Sequence, residues 1–150
     1  MSVTIRRVKK EDEEAWTNLW EQYNVFYKRT IPIEVTKKTF ERLCDENVRM
    51  YGAVAVDNSS QQQIVGFVTW YPHANTSSIE EVVYLNDLFV DPTIRNKGAG
   101  RALIEHVADH AKTIPAHHVY WLTQHFNHRA QLLYTKVANK SDYVHYMKSL

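Results

Sequence analysis

Two glycines, Gly98 and Gly100, stand among three cations, Arg95, Lys97 and Arg101, in the stretch RNKGAGR. The whole chain has only 4 glycines. Glycine weakens regular structure, so a pair this close marks a place where the backbone turns or is approached closely. The chemistry open to this set is anion binding. Unpaired N–H groups at a helix start, with the positive end of the helix dipole, favour a phosphate or pyrophosphate. A helix start eased by glycine, with scattered surface cations, accounts for GAG equally well.

The flanks set the loop between a strand and a helix. VVYLNDLFV (82–90) has the β-branched and aromatic content of a strand. GAGRALIEHVADHAK (98–112) places apolar residues at 99, 102, 103, 107, 108 and 111, a helical stripe. A Walker loop needs GxxxxGK[ST], and here Lys97 precedes Gly98 with no Ser or Thr after Gly100. A dinucleotide fingerprint needs GxGxxG directly after the strand. Leu103 stands where the third glycine belongs, and the seven residues DPTIRNK intervene after Val90.

The remaining elements follow from periodicity. VTIRRV (3–8) alternates as a strand, and 10–29 reads as a long helix with Trp16, Trp20, Tyr23 and Tyr27 on one core-facing stripe. A break at Pro32 leads to a second helix over 35–46. MYGAVAV (50–56) and QIVGFVTWY (63–71) form a hairpin across DNSSQQ. After the glycine helix come a strand at 118–123, a helix at 127–137 with Asn127 as its N-cap, and a closing strand at 142–150. The order β-α-α-β-β-β-α-β-α-β implies an α/β (α+β) fold, a mixed sheet of about six to seven strands with helices on both faces. The 150 residues read as one domain, 1–150.

Composition excludes several classes. Net charge of +1 gives no general nucleic-acid surface. The single cysteine, Cys44, forms no internal disulfide and suits a reducing compartment. The charged start MSVTIRRVKKEDEE is unlike a signal peptide, and no apolar run reaches membrane-span length. The expectation is an intracellular protein, cytoplasmic or nuclear.

NDLFVDPTIRNKGAGRALIEHV (86–107) and, about 30 residues on, NHRAQLLYTKV together resemble the GNAT superfamily of acetyl-CoA-dependent N-acetyltransferases. The first fits its [RQ]xxGx[GA] loop through Arg95, Gly98 and Gly100, the second its N-x-x-A-x-x-x-Y segment through Asn127, Ala130 and Tyr134. The resemblance covers nearly the full chain. It is closest to small fungal members that acetylate histone tails and polyamines, with a sister branch acting on D-amino acids. It implies acetyl-CoA as co-substrate, its pyrophosphate held by the loop Arg95, Asn96, Lys97, Gly98, Ala99, Gly100 and Arg101. It also implies that backbone groups of Leu88, Phe89 and Val90 pair with the pantetheine arm as an added strand, near Asn127. A homodimer or higher homo-oligomer, at least a dimer through the C-terminal strand, is implied as well.

Acetyl transfer to an amine needs a neutral amine, a donor for the developing oxyanion, and a proton for the departing thiolate. The family places that acid at Tyr134, whose face is otherwise that of a core tyrosine. Polyamine-type members carry a Glu where this chain has Asn86, which cannot take a proton. Asp87 is the nearest carboxylate, but side chains alternate, so 86 and 87 face opposite sides unless a bulge intervenes. Glu80 and Glu81 stand earlier and either act through a water or form a solvated loop pair. The favoured base is a water chain ending on Asp87 or Glu81. With Trp70 and Tyr71 able to cover an alkyl chain, this acidic stretch favours a cationic acceptor, a histone lysine or polyamine, over a D-amino acid, whose carboxylate would want an Arg.

The remaining residues add no second chemistry. Cys44 lies outside both motifs, which favours direct attack in a ternary complex. His106 and His110, at i and i+4, lack the Glu and third ligand of a metal site and read as a solvated helix face, so no metal is expected. The alternative of another class is a non-catalytic acyl-CoA-binding or interaction module.

Overall fold

The computed structural model describes residues 2–59, 61–94 and 98–150. The order is β1 (Val3–Arg7), a short 3₁₀ turn (Lys10–Asp12), α1 (Glu13–Phe26), α2 (Ile33–Cys44), β2 (Tyr51–Asp57), β3 (Ile64–His73), β4 (Val82–Val90), α3 (Ala99–Thr113), β5 (Val119–Tyr120) and α4 (His128–Val137). The strands form one sheet in the order β1-β2-β3-β4-β5, antiparallel except for the parallel β4–β5 pair. A parallel pair needs a crossover, and α3 supplies it.

Alternation along the strands splits the core in two. Ala53, Ala55, Val68, Trp70, Val83 and Leu85 face α3, where they pack on Leu103, Val107 and Ala111. Val54 and Phe67 face α1 and α2, against Trp16, Trp20, Tyr23, Phe40 and Leu43. The aromatic stripe of α1 is therefore core, with Trp16 stacked on Trp20 at 5.1 Å between centroids. Each such fully buried large side chain contributes about 1.5–3 kcal/mol. Helices on both faces agree with the sequence pattern.

Strand number differs. Among the described residues the sheet has five strands, not six to seven, because residues 142–150 join no strand and are exposed throughout. β5 is also shorter than 118–123. It parts from β4 after Tyr120, so Trp121–Thr123 have no neighbour to ladder with. Among the described residues no helix is long and apolar enough to cross a membrane.

Candidate active site

The β4–β5 ladder has two rungs, Val83–Val119 and Tyr84–Tyr120. Beyond them β4 runs on to Val90, paired with β3 alone, so Leu88, Phe89 and Val90 border an open wedge. Such a parting leaves backbone donors and acceptors facing the gap, which is what an added extended chain requires.

α4 closes one side of the wedge. Asn127 caps it, Oδ1 accepting from the Ala130 N–H at 3.4 Å. Two turns on, Tyr134 packs edge-on to Trp121 at 5.5 Å and lines an apolar cavity of about 180 Å³ between β5 and α4. Burial, with Tyr27 nearby, pushes the Tyr134 hydroxyl up to about 12. It therefore stays protonated across the neutral range.

α3 opens at Gly98, whose φ of 72° is left-handed and suits only glycine without strain. As the N-cap, Gly98 has no side chain to offer the first-turn amides of this helix. A Cβ on Gly100 would lie 3.2 Å from Leu133 Cδ2, so its smallness also seats α4 against α3. Arg101 points along the helix to Glu105, Nε donating at 3.0 Å. Arg95, Asn96 and Lys97 lie outside the described residues.

On the α1–α2 side, β4 carries a bulge. Thr69 faces Asp87 while Trp70 faces Leu85, leaving Asn86 as the extra residue. The bulge turns Asp87 toward α1 and lets Asn86 and Asp87 open onto one cavity of about 300 Å³. Thr69, Tyr71, Arg29 and Arg42 also line it, with an apolar wall of Trp20, Ile31, Val35 and Met50.

Asp87 is the buried centre of this cavity. Tyr23 donates its hydroxyl to Oδ1 at 2.9 Å, and Thr69 donates to Oδ2. Arg29 Nη2 lies 3.9 Å from Oδ1. Burial raises the Asp87 carboxyl above its ordinary range, while Thr69, Tyr23 and Arg29 pull it down. Tyr23 is in turn pushed well up, by burial first and then by the Asp87 charge. Tyr27 packs edge-on against Tyr23, 5.0 Å between ring centroids; burial raises its hydroxyl, which the nearby Arg29 charge lowers.

Other sequence candidates fall elsewhere. Glu81 precedes β4, separated from Asp87 by roughly 20 Å of extended chain, and makes a two-pronged ion pair with Arg49 at 2.6 and 2.9 Å. Glu81 is not among the residues lining the cavity. Trp70 faces α3, buried, its Nε1 donating to His110 Nδ1 at 3.0 Å. It cannot cover a substrate; Tyr71, one residue on, faces the cavity. His106 and His110 are half-buried against Trp70 and Tyr51 rather than on a solvated face, and burial lowers both. Cys44 sits in the α1–α2 core, away from the wedge.

Sequence reasoning missed Tyr23, Thr69, Arg29 and Arg42. Tyr23 was legible only as core, and its bond to Asp87 spans 64 positions.

The family model described as "Acetyltransferase (GNAT) family" matches residues 6–138. The chain belongs to this family. It is therefore an acetyl-CoA-dependent acyltransferase, in keeping with the wedge and the glycine-opened start of α3. It is 45% identical to the D-amino-acid N-acetyltransferase HPA3 of Saccharomyces cerevisiae, over 98% of this chain and 91% of that protein. It is 32% identical to the uncharacterized N-acetyltransferase YhfO of Bacillus subtilis, over 96% of this chain and 95% of the relative. Among solved structures, AAC(6')-Iy in complex with a bisubstrate analogue, CoA-S-monomethyl-acetylneamine, superposes with a TM-score of 0.84 at 18% identity, over 100% of this chain and 99% of that one. At that identity the likeness is one of fold.

Proposed function

We propose that this GNAT enzyme transfers the acetyl group of acetyl-CoA to the α-amine of a free amino acid, in the D series as in the name of the yeast relative. The observation that carries this is the charge of the cavity beside β4. Its lining holds two guanidiniums, Arg29 and Arg42, against one carboxylate, Asp87. A polyamine or a histone lysine, the acceptors favoured from the sequence, brings only positive charge to that lining. An amino acid brings a carboxylate for the cations and an amine for Asp87.

The residues present fit the co-substrate. Gly98, Ala99, Gly100 and Arg101 at the glycine-opened start of α3 suit the pyrophosphate, as do Arg95, Asn96 and Lys97 by the motif. Leu88, Phe89 and Val90, with Asn127 at the wedge, suit the pantetheine arm. When bound, acetyl-CoA supplies an activated acyl group on sulfur. Asp87, raised by burial, draws the proton from the incoming ammonium. Tyr134 holds a proton on its hydroxyl for the departing sulfur. Transfer is direct, with both substrates bound. Glu81, held by Arg49, takes no part.

The functional unit is a homodimer. Tyr143, Tyr146 and Met147 are 90%, 91% and 81% exposed in the single chain, an apolar run that a second subunit would cover.

Thiol release from acetyl-CoA, measured over D-amino acids, L-amino acids, spermine and a histone-tail peptide, tests the acceptor. Turnover is expected with D-amino acids. Turnover confined to spermine or the peptide overturns the reading, and no turnover with any amine points to a binding module.

A further inference from the structure

Arg29 is held in place by Asn24 and by two aromatic rings. It follows α1 directly, after Lys28, whose φ of 55° reverses the chain over the helix end. Its Nε donates to Asn24 Oδ1 at 2.6 Å, and its backbone N–H donates to the Asn24 carbonyl at 3.1 Å. Asn24 is itself buried and fixed, Nδ2 donating to the Trp20 carbonyl at 2.9 Å. The guanidinium then lies over two rings, 5.1 Å from the centroid of Tyr23 and 5.5 Å from that of Tyr27.

Asn24 and the two rings are uncharged, and the ion pair Arg29 makes with Asp87 is a long one. The Asp87 carboxylate, at 3.9 Å, is beyond hydrogen-bond length and already takes donors from Tyr23 and Thr69 on its two oxygens. With its side chain 44% exposed, Arg29 is a fixed but accessible fork at the cavity wall. A planar guanidinium so preorganised matches a carboxylate, which it binds through two parallel N–H···O bonds.

On the reading that the acceptor is an amino acid, we propose that Arg29 is the anchor for its α-carboxylate and Asn24 the residue that positions Arg29. A carboxylate on this fork places an α-amine, attached to the next carbon, beside Asp87. The spacing between Arg29 and Asp87 thus selects an α-amine over an amine farther along a chain. The side chain of the acceptor then faces Ile31, Val35, Met50 and Trp20, so the preferred substrates are amino acids with sizeable apolar side chains. Arg42 adds the second positive charge of the lining.

The test compares D-phenylalanine with D-phenylalaninamide, which keeps the amine and ring and lacks the carboxylate, for wild type, Arg29→Ala, Arg29→Lys and Asn24→Ala. Wild type should prefer the acid in kcat/KM. Arg29→Ala should lower the acid-to-amide ratio by roughly 10- to 100-fold, the worth of a charge-assisted pair of hydrogen bonds. Arg29→Lys should keep only part of the preference, because the fork is lost. Asn24→Ala should shift the same ratio, mainly through KM for the acid, and add nothing further in the Arg29→Ala background. If wild type acetylates neither compound but does acetylate spermine, the amino-acid reading itself fails and the anchor with it. If wild type turns over both and the ratio is the same in Arg29→Ala, the reading stands and the anchor is overturned.

Discussion

The hydroxyl of Tyr23 donates to Oδ1 of Asp87 at 2.9 Å, tying the core stripe of α1 to the bulge of β4. One tyrosine thereby belongs to the hydrophobic core through its ring and to the acceptor cavity through its oxygen. Together with Thr69 it supplies both oxygens of a buried carboxylate with donors. Burial raises the Asp87 carboxyl, and Tyr23, with Thr69 and Arg29, holds part of that rise back from within the core.

Tyr23→Phe keeps the ring and removes the donor. The Asp87 carboxyl should rise further, and the acidic limb of the kcat/KM profile should move to higher pH. Stability should fall by about 1–3 kcal/mol, the cost of removing one partner from a buried polar group. Urea unfolding and a pH profile with one amino acid measure both. An acidic limb that stays in place would show that Asp87 does not govern it.

Asp87→Asn separates catalysis from stability. Because burial raises the folded-state carboxyl above its ordinary value of 3.8, the folded chain holds this proton more tightly than the unfolded chain. The stability contribution is complete below the ordinary value and is lost as pH rises through the folded one. The variant lacks that loss, so relative to wild type it should gain stability between pH 4 and neutrality while acetyl transfer falls. Unfolding at both pH values decides this. A variant equally destabilised at both contradicts it.

Tyr134→Phe should lower kcat by about 10²–10⁴, the usual contribution of a positioned acid, with CoA affinity little changed. Since its hydroxyl is pushed up to about 12, Tyr134 should produce no basic limb below pH 10 in the wild-type profile. Wild-type turnover in the Phe variant, with chemistry rate-limiting, would remove it from the mechanism.

These residues differ in how far the sequence exposes them. The hairpin of β2 and β3, the stripe of α1 and the Asn127 cap all rest on spacing within one element, and each was readable there. The side to which Asp87 turns was not. Strict alternation puts it opposite Asn86, and the bulge arises from pairing with β3 at Thr69 and Trp70, which no local pattern records. Glu81 looked available because it is close along the chain, yet a strand carries six residues far. Arg29 read as a cation ending a helix, and only the fold brings it to Asp87, 58 positions on. The segment 142–150 has a strand's composition, yet in the single chain it joins no strand and is exposed.

Gly98, which caps α3, and Gly100 in its first turn should fail differently. Gly98→Ala meets open space but is strained at φ 72°, so it should cost roughly 1–2 kcal/mol of stability. Gly100→Val meets Leu133 Cδ2 and should both lower the Tm and weaken CoA binding. Adding Leu133→Ala relieves the contact between helices. If the pyrophosphate also approaches Gly100, the double variant recovers Tm and not CoA affinity by calorimetry. Recovery of both would assign Gly100 to helix packing alone.

The C-terminal run offers the last test. Residues 142–150 expose Tyr143, Val144, Tyr146, Met147 and Leu150 together, while β5 pairs on one side only, with β4. An extended apolar segment and an unpaired strand edge are complementary, and two copies can satisfy both by exchange around a two-fold axis. Sedimentation should then show a dimer for wild type. A chain ending at Lys140 should sediment as a monomer, as should one carrying Tyr143→Asp and Tyr146→Asp, where the fold is intact by circular dichroism. Because Tyr134 lines the cavity between β5 and α4, together with Asn139 and Lys140 at the root of this segment, loss of the dimer should also lower kcat. A truncated chain that remains dimeric with unchanged kcat would place the contact elsewhere.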